Sequence, residues 1–219
     1  MRITISKENY LKAIAEAEAE GEVVKAVTLT RWLHVSAPAV TMAIKRLKRD
    51  ALIRVGPEGQ IALTPAGRDI ATRILNRHHL IERMLAEIFG MDWYKVHDEA
   101  EQLEHAVSTD FERKLIDKLG CGGACPHGNI VGFDSPRARR QRGLKPLDEA
   151  APGELLQVVS VFERDRRLLE YLDSLGIRPG LELRVDARED SLRLAAAART
   201  ILLDPLAAAK VWVKRMGVG

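Results

Sequence analysis

The order of helix and strand patterns in the first 66 residues constrains the fold of this 219-residue chain more than any other feature. Apolar residues recur at helical spacing in "SKENYLKAIAEAEAEG", "TLTRWLHV" indicates a short helix, and Ser36 is a typical N-cap for a third helix. The runs "LIRV" and "QIAL", joined by "GPEG", indicate a hairpin of two short strands. Helix, short helix, turn, helix and hairpin in this order predict a winged helix-turn-helix domain over residues 1–66.

The charge of this first segment suits a polyanionic partner. Between Lys25 and Val55 there are seven basic residues and one acidic residue. In a helix-turn-helix, the second helix of the motif enters the major groove of DNA by its N-terminal residues. A solvated basic face is the alternative, but the near absence of compensating acids favours DNA. The predicted DNA-binding residues are Ser36, Pro38, Ala39, Thr41, Met42, Lys45, Arg46 and Arg49.

Residues 67–133 carry helix patterns that predict a helical middle domain. A long helix is expected after the N-cap Thr64, and two shorter helices are expected after Asp92 and Ser108. From Asn76 to Gly120 the charge balance inverts to six basic and ten acidic residues, and four of the six histidines of the chain lie there. This segment therefore suits a cation.

Helical spacing places acidic and imidazole side chains of the middle domain on shared faces. Glu101, Glu104 and His105 project together because residues three and four apart lie on one face of a helix. They border an apolar stripe, where unpaired charge is costly and a cation would offset it. His78 and Glu82 form a second pair on the long helix. The pattern predicts a divalent transition-metal site, with surface ion pairs as an equal alternative from spacing alone.

The last third of the chain changes character twice. "DSPRARRQRGLK" is basic and polar, and it predicts a linker that acts as an irregular tether over residues 134–145. Beyond it, strand-length apolar runs from "LLQVVSVF" to "VWVKRM" surround one helix pattern, "DRRLLEYLDSLG". A small β-barrel is expected over residues 146–219, so the predicted fold class is mainly α with small β parts.

Composition and motifs disfavour several function classes. An apolar signal or membrane-spanning stretch is missing from the sequence, which predicts a cytoplasmic protein without membrane contact. Two cysteines, Cys121 and Cys125, cannot form a disulfide framework, but they leave open a thiol redox-sensing DNA-binding regulator. A metallohydrolase is a further alternative. We predict no enzyme, because the sequence shows no nucleophile elbow, phosphate-binding glycine loop or HExxH motif.

The motifs "HHLIERML", "KVHDEAEQLEH" and "CPHGN", which follow "SAPAVTMAIKRL", resemble the diphtheria toxin repressor family of metal-dependent regulators, including its manganese-responsive branch. The resemblance covers essentially the whole chain, since the terminal segment with "GIRPG" is similar to the SH3-like domain of that family. It implies a helical dimerisation domain, a homodimer and a pseudo-palindromic DNA operator. It also implies repression of metal-uptake genes on activation by Mn²⁺ or Fe²⁺.

The resemblance further implies two metal sites. The primary site would consist of Glu101, Glu104, His105 and Asn9. Glu101 stands where iron-type members carry a cysteine, and loss of a soft thiolate favours Mn²⁺ or Fe²⁺. The secondary site has two alternative ligand sets. One is His78, Glu82 and His97 with Glu163 from the barrel, and the other is Glu82 with Cys125 and His127.

Overall fold

Three helices and a two-stranded hairpin form the N-terminal part of the computed structural model, which describes residues 4–132, 135–197 and 199–216. The elements are α1 (Ile5–Ala19), α2 (Ala26–Leu33), α3 (Ala37–Arg49), β1 (Ile53–Val55) and β2 (Ile61–Leu63). The two strands are antiparallel. The Ser36 hydroxyl accepts a hydrogen bond from the backbone N–H of Ala39 and caps α3. The predicted winged helix-turn-helix order is confirmed.

The middle part of the chain is helical, as predicted. It contains α4 (Pro65–Arg83), a π-helical turn (Met84–Ile88), α5 (Val96–Leu103) and α6 (Thr109–Leu119). Thr64 and Ser108 cap α4 and α6 through their hydroxyl groups. The start predicted at Asp92 is wrong. The chain first forms a turn in which the Lys95 ammonium donates to the Asp92 carboxylate at 2.6 Å, and α5 begins at Val96.

The prediction of an irregular tether over residues 134–145 is wrong, because half of this segment is a short helix, α7 (Pro136–Gln141). Residue 134 lies outside the described residues. Arg139 of α7 is buried, and its guanidinium donates to the Asn129 side-chain oxygen at 3.0 Å and to a Glu20 carboxylate oxygen at 3.4 Å. It also lies 5.0 Å from the centroid of the Trp212 ring. A basic run that suggests a solvated tether is therefore fixed by acceptors from distant segments.

The C-terminal part forms a six-stranded antiparallel sheet, which confirms the expected SH3-like β domain. Its elements are β3 (Leu144–Pro146), a 3-10 turn (Leu147–Glu149), β4 (Leu155–Val161), α8 (Arg166–Ser174), β5 (Glu182–Arg188), β6 (Leu192–Ala196), β7 (Arg199–Leu203), α9 (Pro205–Ala208) and β8 (Val211–Arg215). The strand order is β3-β8-β4-β5-β6-β7. Alternate residues of β4, β5 and β6 point into one buried apolar core.

The middle and C-terminal parts are packed together through Trp93. Its side chain belongs to the apolar core of the C-terminal sheet, and its indole N–H donates to the Asp173 carboxylate at 2.6 Å. This contact holds the start of α5 against the β domain, so that side chains from both can meet. Among the described residues, no helix is both long and apolar enough to cross a membrane.

Candidate metal centre and nucleic-acid interface

A cluster of seven side chains of types that can ligate a metal lies where α4, α5, the "CPHGN" loop and the end of β4 meet. We call it the junction cluster, and it contains His78, His79, Glu82, His97, Cys125, His127 and Glu163. Within it, donor atoms of His78, Glu82, His97 and Glu163 all lie within 4.8 Å of one another, and so do those of His79, Glu82, Cys125 and Glu163. Glu82 and Glu163 are common to both groups. The first group is one of the two ligand sets predicted from the sequence.

Glu82 is the centre of this cluster. Its Oε1 atom lies 3.1 Å from His78 Nε2, 3.2 Å from His97 Nδ1 and 3.5 Å from His127 Nδ1. Its Oε2 atom is buried without a hydrogen-bond partner. Burial by itself raises the pKa of Glu82, but the neighbouring imidazoles outweigh it and hold the pKa well below its usual value. Glu82 is therefore a buried carboxylate with one oxygen free to bind a cation.

Glu163 brings a second carboxylate from the C-terminal domain to the same point. Its Oε2 atom accepts hydrogen bonds from the Asn129 amide at 2.6 Å and from the Cys125 thiol at 3.2 Å. Its Oε1 atom lies 3.7 Å from His79 Nε2. Burial and the Glu82 charge raise the pKa of Glu163, but His127 and His79 reverse the shift and hold it well below its usual value. The cluster therefore joins two domains through two ionised carboxylates.

His127 is oriented for binding by its ring nitrogens. Nε2 donates to the Trp93 carbonyl oxygen at 2.9 Å, which leaves Nδ1 facing Glu82 and Glu163 at 3.5 Å each. A ring nitrogen that donates to a carbonyl while the other faces the ion is typical of a metal-ligating histidine. Burial lowers the pKa of His127, but these two carboxylates outweigh burial and raise it to about 10.

The "CPHGN" loop reaches this position because Gly128 allows it to lie against β4. Gly128 has φ +83°, and a Cβ atom there would be 1.9 Å from the carbonyl oxygen of Val159. The backbone N–H of Val161 donates to the His127 carbonyl at 2.9 Å, which continues the contact between loop and strand. Glycine at this position is therefore a condition for bringing Cys125 and His127 to the cluster.

Two members of the cluster differ in how they could bind a metal. Burial raises the pKa of the Cys125 thiol well above its usual value, and the Glu163 and Glu82 charges add to this. A thiol must lose its proton to bind a metal, so Cys125 is a costly ligand here. His79 was not among the predicted ligands, yet its Nδ1 atom is buried without a partner. The available signal was the pair "HH", which places His79 about 100° around α4 from His78.

These donors fit a divalent transition metal. Imidazole and carboxylate ligands together suit manganese, iron or zinc. Within the cluster, the buried atoms Glu82 Oε2 and His79 Nδ1 have no hydrogen-bond partner in the protein alone. We therefore regard the junction cluster as the candidate metal centre.

The residues predicted as a primary site lie nearby but do not form a single donor group. Glu104 and His105 are close, with 3.4 Å between Glu104 Oε1 and His105 Nε2, whereas Glu101, Glu104 and His105 are not among the described sets whose donors converge within 4.8 Å. Asn9 contributes a buried Oδ1 atom without a partner. All four residues line one cavity of about 370 Å³.

Lys12 and Arg164 also line this cavity, and neither was predicted from the sequence. The Lys12 Nζ atom donates to Glu104 Oε2 at 2.7 Å and lies 3.7 Å from Glu101 Oε1. The Arg164 guanidinium donates to Glu101 at 3.1 Å and to Glu16 at 2.6 Å. The available signal for Lys12 was its position between Leu11 and Ala13, in an otherwise apolar stretch of α1.

The residues predicted to contact DNA are all on the surface of α3 or at its start. Ser36, Pro38, Ala39, Thr41, Met42, Lys45, Arg46 and Arg49 are all exposed. The Thr41 hydroxyl donates to the Ala37 carbonyl at 3.0 Å, and the Arg49 guanidinium donates to the neighbouring Asp50 at 3.1 Å. The basic side chains of α3 thus form an exposed face on the N-terminal domain.

Three family models match the chain in sequence. The N-terminal DNA binding domain of the iron dependent repressors matches residues 2–61, their metal binding and dimerisation domain matches residues 64–131, and the FeoA domain matches residues 145–215. The chain belongs to the diphtheria toxin repressor family.

Curated members of the diphtheria toxin repressor family align over most of the chain. The diphtheria toxin repressor of Corynebacterium diphtheriae is 32% identical over 216 residues, which cover 91% of this chain and 93% of that protein. The diphtheria toxin repressor of Corynebacterium efficiens is 34% identical over 186 residues, or 80% of each chain. The iron-dependent repressor IdeR of Mycobacterium tuberculosis strain H37Rv is 36% identical over 190 residues, or 82% of this chain and 83% of that protein.

Solved structures of the family share the fold. A manganese-dependent transcriptional repressor in complex with manganese superposes with a TM-score of 0.84 at 30% identity, covering 96% of this chain and 100% of that chain. ScaR with bound Zn²⁺ superposes with a TM-score of 0.78 at 27% identity, covering 96% and 99%. The three-part architecture of this chain is thus that of a repressor in the diphtheria toxin repressor family.

Proposed function

We propose that this chain is a metal-dependent, DNA-binding transcriptional repressor that is activated by Mn²⁺ or Fe²⁺ at the junction cluster. The observation that carries the proposal is the buried Glu82 carboxylate with its unpartnered Oε2 atom, facing Glu163 from another domain. Two buried carboxylates with donor atoms within 4.8 Å of each other require positive charge nearby. A divalent ion supplies that charge in place of the protons on the surrounding imidazoles.

The ligand set depends on the hardness of the ion. Glu82 and Glu163 would hold any of the candidate ions, because they belong to both groups of converging donors. For Mn²⁺ we favour His78 and His97 as the remaining ligands, because manganese prefers nitrogen and oxygen over sulfur. The set with Cys125 and His79 would suit a softer ion, which could displace the thiol proton.

The location of the two carboxylates explains how metal binding would affect DNA binding. Glu82 lies near the end of α4, whose first residue follows directly after the winged domain, and Glu163 comes from the C-terminal domain. An ion held by both favours the arrangement in which these parts are packed together. By this differential affinity it shifts the population toward the conformation that binds DNA.

Dimerisation would use the middle domain. Four large apolar side chains there are well exposed: Ile88, Phe89, Leu103 and Phe111. We propose that they form one surface, since a contiguous exposed apolar patch marks an interaction site. A homodimer through this surface would present two α3 helices to a pseudo-palindromic operator of double-stranded DNA. A repressor with such an operator would act in the cytoplasm, where the DNA of a bacterial cell lies.

The alternatives have less support. A thiol sensor needs a low thiol pKa, whereas burial raises the pKa of Cys125, and Cys121 is exposed at some distance along the loop. Catalysis by the metal needs an open coordination position beside a substrate pocket. The junction cluster is instead buried where four structural segments meet, so we propose that the protein is not an enzyme.

The experiment begins with the selection of operator fragments from a random DNA pool by the Mn²⁺-loaded protein. Binding of the selected duplex is then measured by fluorescence anisotropy with Mn²⁺, with Fe²⁺ under anaerobic conditions, and with chelator. We expect affinity to fall by at least about tenfold on chelation, in the range typical of allosteric coupling. Equal affinity with and without metal would contradict the proposal.

A further inference from the structure

We propose that the ammonium group of Lys12 takes the place of a metal ion in the cavity between α1 and α5. In this chain the two helices are then linked without a bound metal. The inference rests on the proposed function in one respect: it leaves the junction cluster as the site that senses the metal. The link itself is a property of the metal-free protein.

The position of Lys12 is that of a central cation. Its side chain is buried, and the Nζ atom lies 2.7 Å from Glu104 Oε2, 3.7 Å from Glu101 Oε1 and 4.0 Å from Glu16 Oε1. It also lies 2.9 Å from His78 Nδ1. These acidic groups come from both helices, so one ammonium joins α1 to the end of α5 in the way that a bound ion would.

The charges around Lys12 are largely compensated. Three carboxylates, those of Glu16, Glu101 and Glu104, face two cations, because Arg164 contacts Glu16 at 2.6 Å and Glu101 at 3.1 Å. A divalent ion added here would lie close to the buried ammonium and would be repelled by it. An ammonium has three N–H groups and no lone pair, so Lys12 cannot itself become a ligand while it is charged.

The predicted primary ligands therefore do not fit a metal ion in the presence of Lys12. Glu104 Oε2 accepts a hydrogen bond from Lys12, Glu101 contacts both Lys12 and Arg164, and His105 Nδ1 lies 3.0 Å from Glu8 Oε2. What remains is the cavity of about 370 Å³ and the unpartnered Asn9 Oδ1 atom. Removal of the ammonium should open this position to a divalent ion.

The first test uses the metal-free protein, so it does not depend on the proposed function. We would measure the thermal unfolding of Lys12→Met, Glu104→Gln and the double variant in excess chelator. If Lys12 provides the link, each single variant lowers the melting temperature, and the double variant is less destabilised than the sum of the two. Additive losses would show that the two side chains are not coupled and would overturn the inference.

The second test counts bound Mn²⁺ by the electron paramagnetic resonance of the free ion. In the wild-type background Glu104→Gln should leave the number of bound ions per chain unchanged. Lys12→Met should bind one additional ion per chain, at least about tenfold more tightly than any further ion in the wild type. Glu104→Gln added to Lys12→Met should remove this additional ion. Loss of an ion on Glu104→Gln in the wild-type background would overturn the inference.

Control variants separate these effects from general changes in charge. Glu99→Gln lies on the exposed side of α5 and should change no ion count. If Lys12→Met does not fold, Lys12→Gln keeps a polar chain of similar length and tests the same gain of an ion. If the wild type binds no Mn²⁺ at all, the proposed function fails, while the double-mutant cycle in chelator still decides the role of Lys12.

Discussion

The carboxylates of Glu82 and Glu163 face each other across His127, whose Nδ1 atom lies 3.5 Å from one oxygen of each. Glu82 belongs to α4 and Glu163 to the segment after β4, and the loop that carries His127 packs on β4. Because two like charges are buried at this point, a proton or a metal ion must be present to stabilise them. Any change in the charge of this pair should therefore alter both metal affinity and domain packing.

Glu82→Gln should abolish metal-dependent DNA binding. The substitution keeps the size of the side chain but removes the charge that both converging donor groups share. We expect Mn²⁺ affinity, measured by isothermal titration calorimetry, to fall by at least about 100-fold. This is the upper end of the losses seen on mutation of residues that only hydrogen-bond to a metal ligand. Glu87→Gln, an exposed site one turn later, should retain wild-type affinity. Similar losses in both variants would argue against a specific ligand.

Variants of the two alternative ligand sets should separate them for Mn²⁺. His97→Ala removes a nitrogen donor that lies 3.2 Å from Glu82, whereas Cys125→Ser replaces a thiol whose pKa is raised by burial. Since manganese prefers nitrogen and oxygen, we expect a large loss of Mn²⁺ affinity in the first variant and a change of less than about threefold in the second. The reverse order would assign the metal to the thiol set.

The stability of the metal-free protein should depend on Glu104 in acid. Burial raises the pKa of Glu104, but His78 and Lys12 outweigh it and lower the pKa to about 2 from its usual value of 4.5. A carboxyl group with a lowered folded-state pKa stabilises the fold above pH 4.5, and this stabilisation is lost as the pH falls toward 2. The loss should be about 3 kcal/mol in the free energy of unfolding.

Denaturant unfolding in chelator between pH 6 and pH 2 measures this dependence. Glu104→Gln should be less stable than the wild type at pH 6, and the difference should shrink as the pH approaches 2. Glu99→Gln is the exposed control on the same helix. Parallel pH profiles for wild type and Glu104→Gln would contradict the role assigned to Glu104.

Gly128→Ala should disrupt the metal centre by moving the loop. The new Cβ atom would collide with the Val159 carbonyl, in addition to the cost of a positive φ. Gly122→Ala is a matched control, because Gly122 also has a positive φ of +72° but no atom within 4 Å of the added Cβ. The control should cost about 1–2 kcal/mol of unfolding free energy, and Gly128→Ala should cost clearly more.

Both glycine variants can be compared by calorimetry and by Mn²⁺ titration. We expect only Gly128→Ala to weaken Mn²⁺ binding, because Gly128 lies between His127 and Asn129, which both contact the Glu163 carboxylate. Equal effects of the two variants on metal affinity would show that the close approach to Val159 is unimportant.

Local signals predicted the elements of the fold, and long-range contacts determined what the sequence could not show. Ser36, Thr64 and Ser108 each cap a helix as their positions indicated, because capping depends only on the next three residues. Lys12 and Arg139 have partners 92 and 119 residues away, and no local pattern identifies which acidic groups they contact.

The same difference applies to the candidate site. Spacing paired His78 with Glu82 on α4 and the family resemblance added His97, and the donor atoms of these three residues converge because α4 and α5 pack side by side. His79 was missed because its relevance depends on Glu163, which reaches the cluster only when the β domain packs against α4. A sequence pattern can thus indicate a ligand type, while the set of ligands is decided by domain packing.

Basic residues of α3 should contribute to DNA affinity without contributing to sequence preference. Lys45 and Arg46 are exposed beyond the first turn of α3, where phosphate contacts are expected. Each change to alanine should weaken binding of operator and random duplexes by a similar factor, and it should reduce the slope of log affinity against log salt by about 1. Lys114→Ala on α6, which is equally exposed, is the control and should leave the slope unchanged. Ala39→Ser, at the start of the same helix, should instead alter which bases are preferred and leave the salt slope as it is, since it tests contact with a thymine methyl group. A salt slope unaffected by Lys45→Ala and Arg46→Ala together would place the DNA on another face of the N-terminal domain.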